Sequence, residues 1–257
     1  LDRAPDAVAC VACFDHGTGP HARRASTLVR RLARARGVEC VTARAAAIGR
    51  SEAEWRSQRW RFLRAVARER GAQVATAHTL DDQVETVLMR IMRGAGARGI
   101  AALAADGPVV RPLLHVGRAE VQRDARAHSL AWVEDPGNRR ADHLRNRVRR
   151  DLLPGILRVR PSFANELTVL GQRAAHLRAR VELFIDRALE LEQNGDTVLV
   201  ARTMLLRYDA QALALLWPAI AARGGVTLDR RGTDRLVAFT KGRRNGTRAP
   251  LSGGFGA

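Results

Sequence analysis

Residues 73–99 read QVATAHTLDDQVETVLMRIMRGAGARG. A short, largely apolar run, Val74 to Ala77, ends in His78 and Thr79. A helical pattern follows at once, with Val84, Val87, Leu88, Ile91 and Met92 at the spacing of one buried face. Asp82 and Glu85 are three apart, so they share a different face near the helix start. Arg93 then leads into a glycine-rich exit. A strand that brings His, Asp and Glu to the mouth of a helix is how open α/β sheets build sites, at the carboxyl ends of their strands.

The flanks repeat the pattern. Ala7 to Phe14 is a continuous apolar run of the kind found in parallel sheets. The loop Asp15 to His21 is too rich in glycine to be helical. Helical stretches are expected at about Ala22–Arg36 and Glu52–Arg70, the second with Trp55, Phe62, Leu63 and Val66 on its apolar side. A strand at Val38–Ala43 separates them. Downstream come a short strand at Val109–Leu114, a helix at Arg118–His128 and an extended run at Leu130–Val133. The turn Glu134 to Asn138 follows, then a helix-like run at Leu144–Leu153 that Pro154 ends. A long helix is expected from Ser162, as N-cap, to about Gln193, where Asn194-Gly195-Asp196 stops it. A strand at Val198–Ala201 and helices near Asp209–Ala222 and Asp229–Thr240 complete the chain.

This alternation predicts an α/β fold, a parallel sheet with helices on both faces, followed by a long helix and a small, mostly α domain. The expected divisions are 1–155, 156–195 for the connecting helix, and 196–257.

The chain has 257 residues and a formal net charge of +18, from 44 basic against 26 acidic residues. Such an excess points to a polyanionic partner, because counterion release drives binding. Lys241 is the sole lysine, a preference that also fits biased coding composition, so the choice of Arg over Lys carries little weight. No apolar run approaches the roughly 20 residues a bilayer span needs, and no membrane partner is expected. Cys10, Cys13 and Cys40 form no disulfide framework and suit a reducing cytoplasm. Cys10 and Cys13 would point to opposite faces of a strand, which reads as structural.

Several motifs in order resemble the tRNA(Ile)-lysidine synthetase family of the PP-loop ATP pyrophosphatase superfamily. Ala77 to Thr86, with Arg93-Gly94-Ala95-Gly96 and Gly99, is similar to the family's H-x-x-D-D-Q-x-E-T … R-G-x-G. Arg111-Pro112-Leu113-Leu114 and Trp132-Val133-Glu134-Asp135-Pro136 with Asn138 form a second piece. Arg145-Asn146-Arg147-Val148-Arg149 leading to Leu152-Leu153-Pro154 resembles R-N-x-x-R … L-L-P. Asp15-His16-Gly17 and Glu52 … Arg56 … Arg59-Trp60 match upstream motifs, so the likeness runs from about residue 8 to 160. The family's S-G-G-x-D-S nucleotide loop would lie upstream of Leu1, and the expectation is that it was omitted from the chain. Ser252-Gly253-Gly254 has neither a preceding apolar strand nor a following Asp-Ser.

The resemblance implies a two-step reaction. ATP adenylates C2–O of the wobble cytidine of tRNA(Ile) with a CAU anticodon, and free L-lysine then displaces AMP. Such chemistry needs cations on phosphate, and carboxylates for an ammonium or Mg²⁺. Asp82, Glu85 and Arg56 are the implied catalytic residues, with Asp82 also the candidate Mg²⁺ ligand. His16, His78, Asp81, Arg93 and Arg111 are implied nucleotide or substrate contacts. Arg145, Asn146, Arg147, Arg149 and Arg150 read as a patch that positions RNA through its phosphates. Blander readings stand beside these: Asp82 as part of a capping-box-like start with Thr79, Arg56 paired with Glu52 at i,i+4, and the arginine run as a solvated face. Two other functions fit the same residues, a PP-loop tRNA thiolase and a non-catalytic RNA-binding protein. A homodimer is left open.

Overall fold

The computed structural model describes residues 7–17, 19–45, 51–134, 144–242, 249–250 and 256, without the side chains of residues 52 and 53. In chain order the first elements are β1 (Val11–Asp15), α1 (Pro20–Ala35), β2 (Cys40–Arg44), α2 (Glu52–Glu69), β3 (Val74–Ala75) and α3 (Leu80–Met92). Next come α4 (Ala97–Ile100), a 3-10 turn (Ala102–Ala104), β4 (Val109–Val110), α5 (Arg118–Ala127) and α6 (Leu144–Arg147). A π-helical turn (Val148–Leu152) leads to α7 (Leu153–Val159) and the 26-residue α8 (Phe163–Ala188). The hairpin β5 (Leu191–Asn194) and β6 (Thr197–Val200) precedes α9 (Arg202–Leu205), α10 (Ala210–Arg223) and α11 (Arg230–Lys241). No described helix is long and apolar enough to cross a membrane.

The chain folds into two compact units, each drawn from two stretches: 1–79 with 107–147, and 80–106 with 148–257. The first is α/β. β1 and β2 pair in parallel with Val11 opposite Cys40, and β3 and β4 pair in parallel with Val74 opposite Val109. Parallel neighbours need a crossover rather than a tight turn, and α1 supplies it between β1 and β2. Helix α1 packs on β1 and β2, and α2 on β1 and β3. Pro20 sits in the first turn of α1, where its missing N–H is no loss. Ser51 caps α2, its Oγ accepting from Glu54 N at 3.2 Å.

The second unit is mostly helical. Ile185, Leu189, Leu205, Leu213, Leu216, Ala219 and Ile220 form its main core. Asp209 and Asp229 cap α10 and α11 by accepting from Ala212 N and Gly232 N, each at 2.7 Å. α3 and α4 both pack against α8. Every residue of α3 from Gln83 to Leu88 is buried, whereas Ile91 and Met92, expected on the same apolar stripe, are exposed. The stripe is therefore shorter than its spacing suggests, and a polar residue lies inside it. Gln83, 2% exposed, donates from Nε2 to Ala101 O at 3.3 Å and accepts at Oε1 from Leu103 N at 2.8 Å. Between those partners Ala102 has φ 51°, a left-handed conformation that costs a residue bearing a Cβ. Gln83 thus clasps a strained turn.

Several boundaries differ from the sequence reading, and the strand expected at Val109–Leu114 stops at Val110. The long helix ends at Ala188, and Leu191–Asn194 is a strand paired antiparallel with Thr197–Val200. Leu189 and Leu191 still reach the core, but from extended backbone. Gly195, with φ 58°, opens the two-residue hairpin loop that Asn194-Gly195-Asp196 encodes. Pro154 starts α7 rather than ending a run, since a first-turn proline loses no intrahelical bond. Ser162 is itself helical in φ and ψ, and its Oγ donates to Glu166 Oε1 at 2.7 Å instead of capping α8.

Gly171 of α8 faces the clasp. A Cβ there would meet Gln83 Nε2 at 2.4 Å and Val87 Cγ2 at 3.2 Å. Gln83 can yield only by giving up its hydrogen bonds. Gly171→Ala is therefore expected to cost about 1–3 kcal/mol in urea unfolding. The Gly171→Ala/Gln83→Ala double variant should cost less than the sum of the single changes, because the second removes the group that the first strikes.

Candidate functional site

The acids of α3 belong to the second unit. Glu85 is 1% exposed, and a charge so placed must be paired. Its partner is Arg149, on the π-helical turn. Arg149 Nε donates to Glu85 Oε1 at 2.6 Å and Nη2 to Glu85 Oε2 at 2.8 Å. This two-pronged fit matches guanidinium to carboxylate. The same Nη2 donates to Asp82 Oδ1 at 3.3 Å, and Asp82 keeps 17% of its side chain exposed. The hydrogen bond to Glu85 raises the Arg149 pKa, aided by the charges of Glu85, Asp82 and Asp81, against the opposing effect of burial. Asp81 and Asp82 also occupy the first turn of α3, where the helix dipole favours negative charge.

Arg149, read from sequence as an RNA contact, is thus engaged with carboxylates. Of its neighbours in that reading, Asn146 is buried, Arg145 is half-buried, and Arg147 and Arg150 are exposed. Arg93 is exposed at the exit of α3, where Gly94 turns with φ 67° and Ala95 N donates to Arg90 O at 2.9 Å.

The remaining candidates belong to the first unit. His16 directly follows β1, edge-on to Phe14 at 5.1 Å between ring centroids and 6.3 Å from Trp55. Its Nδ1 is buried without a hydrogen-bond partner among the described residues. Burial, then repulsion from Arg59, holds its pKa below 6.5, with Asp15 opposing. Asp15 Oδ1 accepts from Gly17 N at 2.8 Å, which shapes the turn at the strand end.

Arg111 follows β4. Its Nη1 donates to Val109 O at 3.2 Å, while its Nε is buried without a partner among the described residues. Burial lowers its pKa, and so does the charge of Arg56. The Arg56 guanidinium lies 5.8 Å from the Trp60 ring centre, as does that of Arg64. His78 Nδ1 is 2.8 Å from Thr76 Oγ1. The Glu52 side chain and residues 135–138 and 252–254, which carry other parts of the sequence reading, lie outside the described residues.

A guanidinium whose charge costs more beside Arg56, with buried ring and guanidinium nitrogens that have no partner among the described residues, suits an anion such as phosphate. Sequence reasoning missed two roles, the clasp of Gln83 and the pairing of Arg149. Both residues stand inside quoted motifs, but their partners lie 18 to 67 positions away.

Residues 2–156 match the PP-loop domain model, and the chain belongs to that family. Among curated proteins it is 41% identical over 145 residues to the tRNA(Ile)-lysidine synthase of Pseudomonas aeruginosa, covering 54% of this chain and 32% of that protein. It is 40% identical over 184 residues to the tRNA(Ile)-lysidine synthase of a Bradyrhizobium species, covering 68% of this chain and 51% of that protein. The chain thus spans about a third to a half of the length of these relatives. Among solved structures, a U34-tRNA thiolase from Methanococcus maripaludis with its 4Fe-4S cluster aligns with a TM-score of 0.52 at 15% identity. That match covers 64% of this chain and 60% of the other, and it is a likeness of fold.

Two outcomes test the geometry. Arg149→Ala removes two hydrogen bonds from the buried Glu85 carboxylate and is expected to cost about 3–5 kcal/mol in urea unfolding. Because the folded pKa of His16 lies below 6.5, the unfolded chain takes up that proton first as pH falls. The stability linked to His16 is therefore full at neutral pH and lost on acidification. His16→Gln should flatten part of the drop in urea midpoint between about pH 7.5 and about pH 5.5.

Proposed function

We propose that this chain carries the catalytic part of a tRNA(Ile)-lysidine synthase. In this reading it uses ATP to join free L-lysine to C2 of the wobble cytidine of tRNA(Ile) bearing a CAU anticodon, through an adenylated tRNA intermediate. The observation that carries the reading is the Asp82–Glu85–Arg149 cluster, in a chain 40% identical over 184 residues to a curated tRNA(Ile)-lysidine synthase.

The two acids have different work. Both oxygens of Glu85 are taken by Arg149 at 2.6 and 2.8 Å, so Glu85 is a positioning residue. Asp82 receives the longer contact, 3.3 Å, and stays partly exposed, so it is the acid that takes up an ammonium or a Mg²⁺. Oxygen from one or two carboxylates, completed by phosphate and water, is the usual Mg²⁺ environment. The buried donor Arg111 Nε, the cation Arg56 and the His16 ring, in the tautomer that protonates Nδ1, fit the phosphates of ATP. His78, Asp81 and Arg93 are further contacts in this assignment, and the exposed Arg147 and Arg150 hold the RNA backbone with the half-buried Arg145, whereas Asn146 is enclosed. Residues 1–155 supply the chemistry, 156–195 connect, and 196–257 add tRNA contacts.

Asp82→Ala is expected to lower lysine incorporation about 100-fold or more, the scale of a lost transition-state contact. Binding of tRNA should stay within about threefold, a difference of under 1 kcal/mol. Radiolabelled lysine and a CAU-bearing tRNA(Ile) transcript give the readout. Undiminished turnover in the variant would sink the assignment.

A further inference from the structure

Trp132 belongs to a motif that the chemistry above does not use. It lies in the extended stretch after α5 and is 50% exposed. The groove it lines is closed on the other side by α1, through Arg23, Arg24, Thr27, Leu28 and Arg31. Arg24, Thr27, Leu28 and Arg31 follow at spacings of three and four, so they share one helix face. Helix α1 carries five arginines (Arg23, Arg24, Arg30, Arg31 and Arg34) and no acid. None of Arg23, Arg24 and Arg31 makes a side-chain ion pair among the described residues, and all three are exposed. A flat indole beside uncompensated guanidinium groups is the pairing that single-stranded nucleic acid selects, stacking for the base and charge for the backbone.

We infer that this groove holds a single-stranded segment of the RNA substrate, with a base on Trp132 and neighbouring phosphates on Arg23, Arg24 and Arg31. The inference rests on the RNA reading of the preceding subsection and adds the surface that serves it. Arg24 and Arg31 are about 10 Å apart along the helix axis, so they reach different phosphates rather than one. An acidic peptide would use the arginines but leave the indole idle. Duplex RNA would offer no open base face.

The test uses the full chain, filter binding over a salt series, and two probes: a hairpin RNA with CAU in its loop and a duplex of equal length without a loop. Trp132→Ala should weaken the hairpin about 5- to 150-fold, the loss of one stacked base, and leave the duplex within about twofold. Trp132→Phe, which keeps a ring, should retain most of the affinity. The triple change Arg23→Gln, Arg24→Gln, Arg31→Gln should flatten the salt slope for the hairpin by about 2, as three lost single-strand phosphate contacts require. The groove is overturned if wild-type protein does not bind the hairpin. It is equally overturned if both variants keep wild-type affinity and slope, or if the Ala and Phe changes weaken hairpin and duplex alike. Lysine transfer separates the two ideas. Protein that binds the hairpin through Trp132 yet transfers no lysine keeps the groove and loses the lysidine reading. Transfer with RNA binding unmoved by the variants loses the groove alone.

Discussion

Glu85 is almost completely withdrawn from solvent, and two hydrogen bonds from Arg149 help to offset the cost of that burial. An ion pair of this kind adds little over apolar side chains of the same volume, because desolvation offsets most of the attraction. Its contribution is positional. Held by two parallel hydrogen bonds, the guanidinium is restrained from pivoting, and its Nη2 also reaches Asp82. The more exposed acid of the pair thereby acquires a fixed neighbour, which matters for a group that has to meet a mobile ligand in one orientation.

The helix that carries these acids is itself anchored by polar contacts. Gln83 fills the space under Gly171 and closes the turn at Ala101–Leu103, so α3 is buried on faces that its hydrophobic spacing would leave open. Arg90 adds a bond to Gly99 O farther along. One helix thus combines an apolar stripe for packing, an amide for holding a strained turn, and acids for chemistry. The residues between Leu80 and Leu88 leave little freedom for substitution, since six of them in a row are enclosed.

Much of this was legible in the sequence. Apolar runs alternating with helical spacings located β1 to β4 and their crossover helices, because parallel strands must be separated by such segments. The chain also showed which acids stand at the start of α3. What stayed hidden depended on distant partners. Arg149 sits in a run of arginines that reads as surface charge, and nothing local reveals that it turns inward to residue 85. Leu191 stands three residues after Ala188, a spacing that would continue the helical stripe, and the pairing with Thr197–Val200 is what makes it a strand. Burial of the stripe on α3 stops short of Ile91, and periodicity alone does not say how far along a helix the packing reaches.

Both units are stitched from separated stretches, and this sets an order of events during synthesis. The first turns of α3 are made long before α8, which packs on them, and Glu85 precedes Arg149 by 64 positions. At ribosomal speeds of roughly 5–20 residues per second, the acid waits roughly 3 to 13 seconds for its counterion. A buried carboxylate needs compensating contacts, so the Glu85 pocket is complete only once the stretch carrying Arg149 has joined the chain.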